Sequence, residues 1–178
     1  MSIFHSDRPV IPIESLEKSA WERFFSIISV LIFLGSIVFL VMIWGNLPGQ
    51  VPAHFDAGGE VTRLGSKWEL VILPLIGALL YVLLHVLEKY PHVHNFPIEI
   101  TEANAEQAYR ISRSLLGWLK NIILVLFTAL MLNSVVIAMG WAEGMGMLLL
   151  PLTLLGTMVP IAVAIVKLMN MRAEEGSK

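Results

Sequence analysis

Cysteine is absent from the 178 residues. Disulfides, thiolate metal sites and cysteine nucleophiles are therefore excluded, and redox usage says nothing about compartment. Charge is scarce as well. Only 15% of residues are Asp, Glu, Lys or Arg, against roughly a quarter in soluble domains. Basic surplus is missing too: the formal net charge is −2, whereas nucleic-acid binding normally needs a concentrated basic face. No internal repeat or low-complexity tract is present. What fills the chain instead is apolar, with 56% hydrophobic residues and a mean hydropathy of +0.75.

The apolar residues gather into four runs, 24–44, 70–87, 115–141 and 147–169. A bilayer core about 30 Å thick takes roughly 20 such residues in a helix. A soluble fold of this length has no interior for four of them. The expected fold is an all-α polytopic membrane protein with four transmembrane helices, forming one membrane domain over residues 24–171. The first run is expected to be a retained helix rather than a cleaved signal peptide, because it is too long, Glu14, Glu17 and Glu22 flank it, and no small-x-small site follows. Before it lies an amphipathic segment, 1–23, and the tail is 172–178. In that segment Ser15 is placed to cap a helix with Glu17 and Glu22 facing water and Leu16, Trp21 and Phe25 facing lipid or protein. Trp21, Trp44, Trp68, Trp118 and Trp141 fall near span ends, where indole rings anchor.

Charges at mid-bilayer mark transport pathways and proton relays, and this chain has none there. Glu69, Glu88, Arg113 and Lys167 fall at span ends, where long side chains snorkel, and Lys120 and Asn121 lie about one turn inside. Asn133, Ser134, Thr153 and Thr157 sit deeper and are expected to make interhelical hydrogen bonds. A coupled transporter or proton pump is disfavoured. An oligomeric pore, with Asn133 and Thr157 along a path between copies, is the alternative.

Basic residues set the orientation. Arg8, Lys18 and Arg23 precede the first span. Lys89, Arg110, Arg113 and Lys120 lie between the second and third, and Lys167, Arg172 and Lys178 end the chain. The other two loops hold only Arg63 and Lys67. Both termini and segment 88–114 are thus expected in the cytoplasm, and loop 45–67 outside. Within 88–114, Pro91 and Pro97 predict extended chain over "YPHVHNFPIEI". Thr101 then offers an N-cap with Glu102 in the first turn. One helix is predicted from about 102 to about 139, carrying the third span several turns into the cytoplasm. Pro151 and Pro160 are expected to bend the fourth span.

The outer loop contains "LPGQVPAHFDAGGEVTRLGSK", residues 47–67. "VPAHF" suits a strand, "DAGG" a reversal and "EVTRLGSK" a return, so a short β-hairpin-like loop is expected. His54, Asp56, Glu60, Arg63 and Lys67 crowd into it. It is either an ordered connector packed on helix ends or a ligand-binding surface. A second histidine group, His92 and His94, points to one face if extended. With Glu88 or His85 as third ligand it would form a candidate site for a divalent metal. Ordinary hydrogen-bonded imidazoles are the alternative. His54 is separated from this pair by the bilayer.

The loop is similar to a known signature at Leu47, Pro48, Val51, Pro52, His54, Phe55, Gly59, Gly65, Ser66 and Lys67. It resembles a family of bacterial integral-membrane proteins of unknown function, whose domain forms the N-terminal part of SdpI-like proteins. Those confer immunity to a secreted toxin and help signal its presence. The resemblance runs over about residues 25–135, including "YPHVHNFPIEITEANAEQAYR". Asp56 stands where the family more often has Asn, and the chain ends before the second domain of the full immunity proteins. The resemblance implies a bacterial inner-membrane protein with an extracytoplasmic peptide or toxin as ligand. Together with the crowding of polar groups it makes His54, Phe55, Asp56, Gly59, Glu60, Arg63, Gly65, Ser66 and Lys67 the candidate ligand-binding residues. The expected partners are the bilayer, that ligand and a second copy of the chain. No HExxH, nucleophile elbow or paired intramembrane carboxylates occur. A non-enzyme without a cofactor is therefore expected, with a metal enzyme built on His54 and Asp56 or on His92 and His94 as the lesser alternative.

Because native thiols are absent, topology has a direct test. A membrane-impermeant maleimide added to intact cells is expected to label Ala57→Cys and to spare Val93→Cys; the opposite pattern would invert the orientation.

Overall fold

The structure is a computed structural model describing residues 8–176, with side chains as far as Arg172. Residues 1–7 of the amphipathic segment, and Lys178 of the basic count, lie outside the described residues. Four helices follow in order: α1 (Ala20–Ile43), α2 (Glu69–Leu87), α3 (Ala105–Ala138) and α4 (Leu149–Gly176). Between α1 and α2 stands an antiparallel hairpin, β1 (Gln50–Phe55) and β2 (Val61–Ser66). Four helices are long and apolar enough to cross a membrane, which suggests a multi-pass membrane protein. The four-helix expectation and the hairpin between the first two helices are both met.

α3 is the axis. α1, α2 and α4 each pack against it, and scarcely against one another. Lipid tails are as apolar as leucine, so helices in a bilayer associate through close packing and polar contacts rather than hydrophobicity. α3 supplies those contacts. Asn121 Nδ2 donates to Ser26 Oγ at 2.8 Å, and its Oδ1 accepts from Ser29 Oγ at 2.8 Å, fixing α1. Asn133 Oδ1 accepts from the Met145 amide at 2.6 Å, holding the turn into α4. The α4 threonines behave differently from expectation. Thr153 donates to Leu149 O and Thr157 to Thr153 O, within their own helix. A helical threonine reaches the carbonyl one turn back more easily than a neighbouring helix. The outer faces are left to lipid: Met42 of α1 is 77% exposed, Leu79 of α2 68% and Leu155 of α4 61%.

At one end the hairpin is rooted in the bundle. A lone two-stranded hairpin is marginal in water, but Leu47 and Val51 are buried against Leu40, Leu70, Met131 and Val135. At the opposite end the chain before α1 forms an arm. Ile13–Ser15 is a single 3-10 turn, and Ser19, not Ser15, caps α1. Ser19 has the glutamate three residues on that a capping box requires, Glu22. Leu16 meanwhile turns inward and is fully buried beside Ala105 and Tyr109.

Side chains hold this arm down. Tyr109 Oη donates to Pro9 O at 2.9 Å, Arg110 to Ser15 O at 3.2 Å, and Arg113 to Ile13 O at 2.9 Å and to Leu16 O. Arg8 donates to His94 O at 2.6 Å. The predicted extended stretch after α2 contains a 3-10 turn, Pro91–Val93, because proline's fixed φ suits the first helical position. α3 begins after Asn104 rather than Thr101. The Asn104 carboxamide accepts from the Thr101 amide at 2.9 Å and closes a separate turn first, so Glu106 instead of Glu102 is the acid of the first helical turn. The 34 residues of α3 span about 50 Å at roughly 1.5 Å each, well beyond a core of about 30 Å.

The expectation that Glu88 and Arg113 snorkel outward is overturned. Glu88 is 2% exposed and Lys120 1% exposed. The Glu88 carboxylate meets Lys18 and Lys120 and faces Arg113 Nε at 4.0 Å. Lys120 Nζ also lies 3.0 Å from His85 Nδ1 and 5.4 Å from the Tyr81 ring centroid. Shielded charge cannot reach water from this position, so it carries its counter-charge inward. One carboxylate ties the arm, α2 and α3 together.

The hub predicts an asymmetry. Glu88→Gln strands three cations and is expected to cost about 3–5 kcal/mol, whereas Lys120→Met leaves Lys18 and Arg113 on the carboxylate and costs less. Thermal unfolding in detergent reads both, and equal losses would show that no hub exists.

Candidate functional site

The hairpin reverses through a turn that the sequence specifies closely. Asp56 N donates to Glu60 O at 3.0 Å, Gly59 N donates to Asp56 O at 3.0 Å, and Asp56 Oδ1 accepts from Glu60 N at 2.9 Å. Gly59 has φ +82°, and a Cβ there would run into the backbone of Gly146. The tip therefore rests on the entry to α4. The ladder pairs Pro52 with Leu64, His54 with Arg63 and Phe55 with Val61, with irregularities on either side of His54. Such bulges bend and twist strands. His54 Nδ1 lies 2.6 Å from Thr62 Oγ1.

Beneath the hairpin is a cavity of about 680 Å³. β1 and the turn contribute Pro52, His54, Phe55 and Asp56; α2 contributes Leu70 and Leu73. α3 adds Leu126, Leu130 and Ser134, and α4 adds Leu149, Leu150 and Thr153. The lining is largely aliphatic, with a few polar groups from the hairpin and the start of α2. That is the usual composition and size of a small-molecule or peptide side-chain pocket.

The candidate residues divide into two sets. His54, Phe55, Asp56 and Gly59 line the cavity. Arg63, Gly65, Ser66 and Lys67 instead build the junction with α2. Arg63 Nη2 meets Glu69 Oε2 at 2.8 Å, and Glu69 Oε1 accepts from the Ser66 amide at 3.2 Å. A Cβ on Gly65 would lie 2.8 Å from Ala53 Cβ and collide with the Glu69 carboxylate. Ser66 Oγ accepts from Trp68 N at 3.4 Å. Lys67 Nζ donates to Trp44 O at 3.2 Å and stands 5.1 Å over the Trp44 ring, which packs edge-on to Trp68 at 5.0 Å. A cation on the terminal carbonyls of α1 complements the helix dipole. Glu60 gives the turn its backbone groups. Glu69, Leu126 and Leu130 were not singled out as site residues from the sequence; Ser134 and Thr153 were noticed only as polar positions in apolar spans.

The second histidine pair is committed elsewhere. His94 Nε2 lies 3.0 Å from Leu87 O, and a carbonyl only accepts, so Nε2 carries the proton. Nδ1 then accepts from Ser112 Oγ at 2.5 Å. Burial holds the His94 imidazole below its ordinary pKa, favouring this neutral form. His92 packs edge-on to Tyr90 at 6.3 Å. Among the described residues, no group of three His, Cys, Asp or Glu side chains is placed to hold a metal.

A family model matches the region that contains the hairpin. Residues 31–78 match the model of a family described as a domain of unknown function, DUF1648. The match covers the second half of α1, the hairpin and the first half of α2. An uncharacterized protein of Archaeoglobus fulgidus is 35% identical over 65 residues, 32% of this chain and 36% of that protein. The chain thus spans about a third of the length of that curated relative. No solved structure matches significantly.

Gly59→Ala is expected to lose about 1–3 kcal/mol of stability from its positive φ and, by lifting the tip off Gly146, to raise maleimide labelling of a cysteine placed at Ser134. Gly49→Ala, whose Cβ meets nothing within 4 Å, is the control. Unchanged labelling in the Gly59 variant would mean the tip does not close the cavity.

Proposed function

We propose that this chain is a non-enzymatic membrane protein that binds an extracytoplasmic amphipathic peptide, of the kind used as a secreted toxin, in the cavity beneath the hairpin. The single observation carrying this reading is the cavity itself: aliphatic walls from three helices, roofed by His54, Phe55 and Asp56. A ligand with an apolar side chain and a polar backbone matches that combination. The excess of Lys and Arg in the other loops supports an outward-facing hairpin and cytoplasmic termini. The resemblance of the 47–67 loop to the N-terminal part of SdpI-like immunity proteins is what supports a role in immunity or signalling at a bacterial inner membrane.

Signalling has a mechanical route in this reading. α3 carries Leu126, Leu130 and Ser134 at the cavity and Lys120 and Arg113 at the Glu88 hub. A ligand that shifts α3 also shifts the contacts that hold the N-terminal arm. The pore alternative gains nothing specific, since Asn133 and Thr157 spend their hydrogen bonds on Met145 and on α4 itself.

The test fills the cavity without touching the hairpin. Cells expressing the chain are challenged with a panel of secreted membrane-active peptides, and protection against at least one is expected. Leu130→Trp is expected to abolish that protection while Gly49→Ala keeps it. Protection that survives Leu130→Trp at full strength, or no protection against any member, would sink the proposal.

A further inference from the structure

At the end of the bundle opposite the hairpin, two cavities adjoin. One, about 360 Å³, is charged, lined by Lys18, Arg110, Arg113 and Lys167 with Glu17 and Glu22. The other, about 300 Å³, is apolar, lined by Leu115, Trp118, Val159, Pro160 and Val163 between α3 and α4. Ile111, Ser114 and Lys167 belong to both. A charged chamber thus continues into an apolar groove on the lipid-facing side of the α3–α4 seam.

The acids there are already engaged. Glu22 accepts from the Ser19 amide and hydroxyl, each at 2.8 Å, and Glu17 faces Arg23 at 3.6 Å. The cations are not fully matched. Lys18 and Arg113 share the single Glu88 carboxylate with Lys120. Arg113 Nε is buried without a hydrogen-bond acceptor. Lys167 makes no ion pair among the described residues, although it lies at the join of the two cavities.

We propose that this double cavity binds one anionic phospholipid of the surrounding leaflet. The phosphate lies among Lys18, Arg113 and Lys167, and one acyl chain runs along Trp118, Val159 and Val163. Charge complementarity selects the headgroup. Continuity with the apolar groove distinguishes a lipid from a free anion, because only a lipid fills both chambers. Attraction to anionic lipid is worth about 1 kcal/mol per Lys or Arg near the membrane surface, or roughly five-fold each. This site is independent of the cavity under the hairpin, and its failure would leave that reading untouched.

The full chain in nanodiscs of mixed phosphatidylcholine and phosphatidylglycerol, released into native mass spectrometry, provides the test. Retention of one phosphatidylglycerol in preference to phosphatidylcholine is expected. Lys167→Gln should cut that preference roughly five-fold, as one lost cation implies, and Lys167→Glu further. Val163→Phe, which fills the groove, should reduce lipid retention with every cation intact. Millimolar inorganic phosphate should neither displace the lipid nor stabilise the detergent-solubilised protein comparably. Equal retention of the two lipids, indifference to both Lys167 variants, or full replacement by inorganic phosphate would each overturn the proposal.

Discussion

A charge placed where neither lipid nor water can solvate it must bring its counter-charge along, and Glu88 is where this chain obeys that constraint. A buried ion pair gives little net stability over well-packed apolar residues, because desolvation offsets the Coulomb gain. Its effect is on specificity: the partners must be brought together or the cost is severe. Here the partners come from the arm (Lys18) and from α3 (Lys120 and Arg113), while Glu88 itself closes α2. One carboxylate thereby dictates the relative positions of three segments that are far apart in sequence.

The same logic extends along α3. Its polar residues Lys120, Asn121, Thr128, Asn133 and Ser134 are all buried, and they are distributed around the helix. The other helices are apolar nearly all round and bring few partners for one another. They consequently arrange around the one helix that can offer polar contacts, and the gaps between them persist as cavities. Cavities at both ends of the bundle lie against α3. An axial helix with separated satellites leaves clefts by construction, whereas a four-helix bundle with mutual contacts between neighbours would close them.

Much of this architecture was legible in the sequence, and the residues that were misread share a cause. The number of long apolar helices follows from the four apolar runs, and the hairpin from "DAGG" between two β-prone stretches. α3 starts three residues later than expected because the Asn104 carboxamide accepts from the Thr101 amide and closes a separate turn first, which local sequence does not disclose. Glu88, Arg113 and Lys18 look like span-end charges in one dimension. Their convergence depends on the arm folding back, which Leu16 and Tyr109 decide by burial across a large separation in sequence. His94 was ambiguous for a similar reason: its partners, Leu87 O and Ser112, lie on two different helices. Of the loop's candidate residues, sequence identified the crowd but not its division, because Arg63 and Lys67 look the same whether they face a ligand or a helix end.

That division bears on how the loop functions. The base of the hairpin is the anchored part: Val51 is fully buried, Gly65 is packed against Ala53, and Lys67 donates to the Trp44 carbonyl at the end of α1. The tip has no comparable anchor. Asp56, Ala57 and Gly58 are exposed, and the tip's close approach to α4 is Gly59 against Gly146, two glycines with positive φ and no side chains to interlock. Side-chain-free contacts are easily parted, because little apolar area is lost on opening. Packing is thus concentrated at the Gly65–Lys67 junction and exposure at the Asp56–Gly59 turn. The same short motif supplies both the buried base of the hairpin and the rim of the cavity, with bulky clamps at one end and bare glycines at the other.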